Sequence, residues 1–251
     1  MRKATIHRLG TLEYAGTESL NTICSNLSFA GRNLKKIIFT SCTASEGKSF
    51  MTMQIMQNLA YRGKRVVLVD TDLRRSVLTS RYEITTEGEF TGLAHYLAGY
   101  CKMEDILYET NIPNAYFIPI GRDVANPVPM LDAPEFSQLL DALAQQFDMV
   151  IVDAPPVGLV IDAAEVAKYC DGVVFVIKYN ATRRRELLVA KRQMEQAGCP
   201  VLGCIINQVT LDTISAKKNY SRAYYSHYGN DYYRKEDGTK VKKSAENKGS
   251  K

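Results

Sequence analysis

The stretch TSCTASEGKS at positions 40–49 places Gly47-Lys48-Ser49 between the apolar run KIIFT (36–40) and a helical pattern opening near Phe50. Backbone N–H groups at a helix N-terminus carry partial positive charge, and a tight turn leading into them forms a cradle for phosphate oxygens. In such a loop Ala44, Ser45, Glu46, Gly47, Lys48, Ser49 and Phe50 surround the phosphates. Lys48 reaches the β- and γ-phosphates, and the Ser49 hydroxyl ligates Mg²⁺. The full pattern has another glycine five residues before Gly47, where this chain has Cys42. That thiol is either oxidation-sensitive or a neutral filler.

Acids close two further apolar runs. MVIVD (149–153) ends on Asp153 and is followed by APP, and VVLVDTDLR (66–74) ends in Asp70 and Asp72, then Arg74. Strand ends deliver side chains to the crevice where open α/β sheets bind ligands. A carboxylate there can hold Mg²⁺ or its water. Three acids at two strand ends beside a phosphate loop point to a nucleotide site. Near the C-terminus, six tyrosines fall within YSRAYYSHYGNDYY: Tyr220, Tyr224, Tyr225, Tyr228, Tyr232 and Tyr233. Their spacers are too polar to bury six rings in a core, so the phenols read as phosphoryl acceptors for the upstream site.

Short apolar runs alternate with helical patterns along the first 211 residues. Candidate strands are 36–40, 65–70, 115–120, 149–153, 172–177 and 201–207. Several are continuous Val/Ile runs, as in a parallel sheet covered on both faces. Phe136, Leu139, Leu140, Leu143 and Phe147 recur at helical spacing, as do Leu187, Ala190 and Met194. Leu20, Ile23, Cys24 and Leu27 trace one face of an earlier helix, and Gly63 and Gly198 fall where helices should stop. The expectation is a doubly wound, mostly parallel α/β domain over 36–211, an N-terminal helical oligomerisation segment over 1–35, and a flexible tail over 212–251.

The chain has 251 residues and a net charge of +5. From Asp212 onward there are ten Lys/Arg against five Asp/Glu, leaving twenty-two of each sign in the rest. A basic tail on a neutral domain fits a protein partner or an anionic surface, and no base-reading motif supports nucleic acid. Six cysteines without CxxC spacing fit a reduced cytoplasmic compartment. No apolar run approaches the roughly 18 residues of a membrane span.

These motifs resemble the cytoplasmic bacterial tyrosine kinases of capsule and exopolysaccharide biosynthesis, the CpsD/CapB type. The resemblance runs from about Thr17 to the tail. It rests on the EGKS loop, VDTDLR, VDAPP, Asn126-Pro127, Phe147-Asp148, Asp162-Ala163, Gly203 to Asn207 and the tyrosine cluster. It implies a MinD/ParA-like P-loop NTPase fold and autophosphorylation of the tail with ATP and Mg²⁺. It further implies a separate membrane-anchored polysaccharide co-polymerase as activator, a tyrosine phosphatase, and phosphorylation between copies of the chain at the inner membrane face. Carried residue by residue, Lys48 contacts the phosphates, Ser49, Asp72 and Asp153 serve the metal, and Asp70 is the base or metal organiser with Asp72 assisting. Asn207 sits where the family contacts adenine.

The chain departs from the family at three places. Ala44-Ser45 replace the usual Pro-Gly, Cys42 lies in the loop, and the E-x-Y-R cluster of the first helix keeps Glu18 but has Leu20 and Asn21 for Tyr and Arg. The substituted loop is expected to be looser, and the Glu–Arg contact that closes a ring of subunits cannot form in the usual way. Two rival readings stand beside the kinase. One is a MinD/ParA-like ATPase, whose signature lysine would fall at Thr43; the other is a non-catalytic nucleotide-binding pseudokinase acting as an assembly regulator.

Overall fold

The computed structural model describes residues 2–31 and 34–209. The segment 212–251, with all six tail tyrosines, lies outside the described residues. Nine strands occur among them: β1 (Arg2–Ile6), β2 (Lys36–Thr40), β3 (Val66–Asp70), β4 (Ile84–Thr86), β5 (Tyr108–Thr110), β6 (Ala115–Ile118), β7 (Met149–Asp153), β8 (Gly172–Lys178) and β9 (Val201–Asn207). They form one sheet in the order β4-β1-β5-β6-β3-β7-β2-β8-β9. From β6 to β9 every neighbouring pair is parallel. Antiparallel pairing is confined to β1 with β4 and β5 with β6.

Period-2 alternation divides the core between two faces. Ile37, Phe39, Leu68 and Ile151 pack with Leu20, Cys24 and Leu27 of the helix Tyr14–Phe29 and with Met53 and Met56 of the helix Lys48–Tyr61. On the opposite face, Ile38, Val67, Val69 and Val152 meet Phe136, Leu139, Leu140 and Leu143 of the helix Pro134–Gln146. Ala190 and Met194 of the helix Arg184–Gln196 join the same cluster. With both faces covered, β3 and β7 are buried at every position. The two long helices ending at Tyr61 and Gln196 are each followed by a glycine with positive φ, Gly63 at 80° and Gly198 at 79°. A residue without Cβ enters that left-handed turn without steric cost.

The six expected strands are those of the continuous parallel run β6-β3-β7-β2-β8-β9, while β1 also pairs in parallel with β5. β1, β4 and β5 were not anticipated. β4 and β5 have three residues each, and β1 is half polar, burying only Ala4 and Ile6. The segment 1–35 therefore contains a strand of the sheet as well as a helix. Its two helix positions that differ from the resembled cluster turn inward: Leu20 is buried, and Asn21 accepts from Asn58 Nδ2 (3.0 Å) and Arg62 (2.9 Å).

The chain leaves β2 through the helix Lys48–Tyr61 and returns at β3, with β7 lying between the two strands. All three run the same way, so the residues following Thr40, Asp70 and Asp153 share one rim of the sheet. Replacing Leu143, fully buried under that rim's supporting strands, by Ala should cost about 2–5 kcal/mol. Urea unfolding followed by circular dichroism checks this.

Candidate functional site

The turn between Thr40 and Lys48 is shaped by its backbone. Gly47 has φ +91°, and Ser45 has φ +63° in the region that favours glycine. A left-handed non-glycine residue costs about 1–2 kcal/mol, which locates the strain of the Ala44-Ser45 substitution at Ser45. A Cβ on Gly47 would lie 1.9 Å from Asn207 Nδ2, so space and torsion both demand glycine there.

The loop is tied down from several sides. The Glu46 carboxylate is buried and accepts the N–H groups of Cys42 (2.7 Å) and Thr43 (2.9 Å), and the Thr182 hydroxyl donates to it as well. Asn207 Nδ2 donates to the Glu46 carbonyl at 3.0 Å, and Gln208 Nε2 to that of Ser45 at 3.2 Å. Burial, with Glu46 and Glu186 adding to it, pushes the Cys42 thiol up to about 12. So placed, it is an inert filler of the missing-glycine position. Gly158 approaches so closely that a Cβ there would sit 2.2 Å from the Cys42 carbonyl oxygen.

At the head of the helix Lys48–Tyr61 the first-turn N–H groups have no intrahelical acceptors. Lys48 Nζ lies 2.9 Å from Asp153 Oδ2, and the Ser49 hydroxyl donates to the same oxygen at 2.8 Å. Thr52 Oγ1 approaches Asp153 Oδ1 at 3.4 Å. Strand pairing puts Asp70 opposite Asp153 in register. Asp70 is buried; its Oδ1 accepts the Asp72 N–H at 3.1 Å, and Ser76 Oγ donates to its Oδ2. Burial, and next the charge of Asp153, raise the Asp70 carboxyl from an ordinary 3.8 to about 8, against the lowering effects of Ser76, Lys48 and the Asp72 N–H. Burial also raises Asp72, with Lys48 opposing.

Of these groups Lys48, Ser49 and Asp72 border a cleft of about 490 Å³, lined on the loop side also by Ala44, Ser45 and Gly47, while Asp70 and Asp153 are buried beside it. Asp72, Arg74, Arg75, Arg81 and Leu159 line it elsewhere. Arg74 forms a two-point pair with buried Asp162 (2.6 and 3.0 Å) and donates to the Ala125 carbonyl at 3.0 Å, pinning the loop after β3. Ser49 Oγ and Asp153 Oδ2 are hard oxygen donors meeting at one point, as a magnesium site requires. No group of three or more His, Cys, Asp or Glu able to hold a metal occurs among the described residues. A partial donor set fits Mg²⁺, which keeps water and substrate phosphates as its other ligands. Asp70 and Asp72 stand beside it.

The structure thus brings Lys48, Ser49, Asp70, Asp72 and Asp153 to one rim. Three expected nucleotide contacts sit differently from a direct side-chain ligand. The Glu46 carboxylate faces into the loop, the Phe50 ring packs with the hydrophobic cluster on the face of the Lys48–Tyr61 helix, and the Asn207 amide braces the loop. Glu46 and Phe50 keep only backbone groups for a phosphate. Unanticipated participants are Thr52, Ser76, Thr182 and Gln208, whose partners are 6 to 163 positions away in sequence. No local pattern marks them.

With this geometry in hand, the comparisons are specific. Residues 34–185 match the family model described as an AAA domain. A tyrosine-protein kinase CpsD of Streptococcus agalactiae is 38% identical over 213 residues, covering 85% of this chain and 88% of that one. Among solved structures, the kinase domain of Escherichia coli tyrosine kinase ETK superposes with a TM-score of 0.71 at 26% identity over 78% of each chain. The septum site-determining protein MinD of Pyrococcus horikoshii, complexed with Mg-ADP, gives 0.61 at 23% identity over 74% of this chain and 76% of that one, which is a likeness of fold.

Two outcomes follow from the geometry. Gly47→Ala should abolish nucleotide binding measured by calorimetry. For Asp70, the folded state holds a proton that the unfolded chain releases near 3.8. Its contribution to stability therefore declines as pH rises between 3.8 and about 8, and the loss is complete above that. Asp70→Asn should remove that decline, leaving the variant more stable than the native chain at alkaline pH by at least about 1 kcal/mol, or roughly 2–4 °C in Tm for a chain of this size. Thermal melts across the window, without nucleotide, read it.

Proposed function

This chain belongs to the CpsD tyrosine-protein kinases, and from that membership we propose that it transfers the γ-phosphoryl group of ATP to its own C-terminal tyrosines. The observation that carries this reading is the convergence of Lys48, Ser49 and Asp153 within 3.2 Å of one another, with Asp70 in register beside them. A phenol with a pKa near ~10 is a poor nucleophile at neutral pH. Burial and the charge of Asp153 hold a proton on Asp70 at neutral pH, its pKa being about 8, so it takes the phenolic proton only once its own is displaced, as a cation bound beside it would do. In the reaction the tyrosine Oη–Pγ bond forms, the bond from Pγ to the β-bridging oxygen breaks with its electrons leaving on ADP, and Asp70 takes the phenolic proton.

Lys48 neutralises charge on the β- and γ-phosphates, and the first-turn N–H groups hold their oxygens. Ser49 and Asp153, with Asp72 near, are the residues that would hold Mg²⁺, which there would neutralise charge on the phosphate oxygens. Lys48 contributes differently from Asp70, since it binds donor phosphates whereas Asp70 acts on the acceptor. The accelerating effect is therefore mainly positioning and charge complementarity.

Acceptors are Tyr220, Tyr224, Tyr225, Tyr228, Tyr232 and Tyr233, reached from another copy of the chain. Asn207, at the end of β9, commits its Nδ2 to the Glu46 carbonyl and keeps its Oδ1 for the adenine. The working division is a helical and strand-forming entry over 1–35, the kinase domain over 36–211 and the acceptor tail over 212–251. The enzyme regulates capsular or exopolysaccharide synthesis and export, and a tyrosine phosphatase resets it. No helix among the described residues is long and apolar enough to cross a membrane. A membrane-anchored co-polymerase recruits the kinase to the inner membrane face. The MinD-like ATPase reading shares the fold, but Thr43 stands where its signature lysine would be.

Lys48→Met should remove the cation that pairs with Asp153 and binds phosphate, and so reduce tail phosphotyrosine by at least about a thousandfold. Purified protein incubated with labelled ATP and magnesium, then probed for phosphotyrosine, tests this. A persistent signal in the variant would refute the assignment.

A further inference from the structure

Four basic side chains line the cleft, and two of them are committed. Lys48 pairs with Asp153, and Arg74 is bound to Asp162 and the Ala125 carbonyl. Arg75 and Arg81 are exposed, and among the described residues neither side chain makes an ion pair or a hydrogen bond. Of the acids in the cleft, the Glu46 carboxylate is taken up by loop N–H groups, and Asp72 accepts the Arg75 backbone N–H at 3.2 Å. Two guanidiniums are thus left for an anion brought by a ligand. Beside them the same wall exposes apolar surface, with Val77 41% and Leu159 62% accessible.

An apolar shelf next to two free guanidiniums suits a peptide that carries both an aromatic ring and an anion. A phosphate fits a guanidinium by two parallel hydrogen bonds. The chain's own acceptor segment supplies rings in abundance but little charge of that sign. Between Tyr220 and Tyr233 the sole acid is Asp231. Its tyrosines also fall as adjacent pairs, Tyr224-Tyr225 and Tyr232-Tyr233. Once one member is modified it carries roughly −1.5 to −2 charges, placed one residue from the next acceptor.

We propose that Arg75 and Arg81 form a subsite for a phosphotyrosine neighbouring the acceptor tyrosine, so that each phosphate placed on the cluster favours the next. This rests on the kinase reading of the cleft and adds a substrate preference to it. Phosphorylation of the cluster then proceeds as a self-reinforcing sequence: the first transfer to an unmodified tail is slow, and later transfers to partly modified tails are faster.

The test uses the full chain with its six tail tyrosines changed to Phe, so that an added peptide is the acceptor. Peptides spanning 222–230 carry Tyr225 as acceptor, Tyr228→Phe, and at 224 either phenylalanine, phosphotyrosine or glutamate. The phosphotyrosine peptide should have a kcat/KM roughly tenfold above the phenylalanine peptide, mainly through KM and weakening with salt. The double variant Arg75→Gln/Arg81→Gln should bring that ratio to about one. With both arginines intact, a ratio near one overturns the subsite whether or not the double variant folds. So does a ratio that survives in a folded double variant, or a loss of ATP affinity in that variant with the ratio unchanged. A glutamate peptide matching the phosphotyrosine peptide would overturn the requirement for phosphate. Absence of transfer to every peptide would defeat the kinase reading and the subsite with it, an outcome distinct from equal transfer to all.

Discussion

Two buried carboxylates at neighbouring strand ends set the terms for everything around them. Parallel pairing of β3 with β7 places Asp70 opposite Asp153, and the backbone ladder does not allow them to separate. In a medium of low polarisability such a pair repels strongly, and burial penalises each charge again. The protein answers with Lys48 and the Ser49 hydroxyl on Asp153, and with Ser76 and the Asp72 N–H on Asp70. One carboxyl is left with its proton held near pH 8. Asp70 therefore stands protonated at neutral pH, and its repulsion with Asp153 is what a cation placed beside the two would relieve. Charge that is unfavourable for folding is concentrated where the proposed site lies.

Holding that charge at a fixed place requires a rigid rim, and the rim is braced across the sheet. Glu46 ties the loop's own N–H groups and Thr182 together, while Asn207 and Gln208 reach it from the end of β9. Thr71 bonds the Asp153 carbonyl by N–H and hydroxyl, both at 2.9 Å, linking the ends of β3 and β7 directly. The Thr40 hydroxyl donates to the Pro155 carbonyl at 2.7 Å. These hydrogen bonds tie the strand ends to one another, and Gln208 holds the carbonyl of the left-handed Ser45. The expected looseness of Ala44-Ser45 becomes local strain held in place by its neighbours.

The entry helix shows the same economy of contacts. Leu20 fills core and Asn21 links the helix to Asn58 and Arg62, so both positions that depart from the resembled E-x-Y-R cluster are used inside the fold. Glu18 accepts from Asn21 Nδ2 at 3.2 Å within the same helix.

Continuous Val and Ile runs, helical repeats and the glycines after helices were enough to read the six parallel strands and the long helices, because each is a local consequence of burial on two faces or one. The loop, Asp70, Asp72 and Asp153 were equally legible, since strand ends and helix starts fix where such residues emerge. Strands β1, β4 and β5 were not legible: short or half-polar edge segments carry too few buried positions for a pattern. The pairing of Arg74 with Asp162, the bracing by Thr182 and Gln208, and the inward turn of the Glu46 carboxylate were decided only by tertiary structure. A hydrogen bond between residues far apart in sequence depends on strand order and register, which no window of local sequence contains.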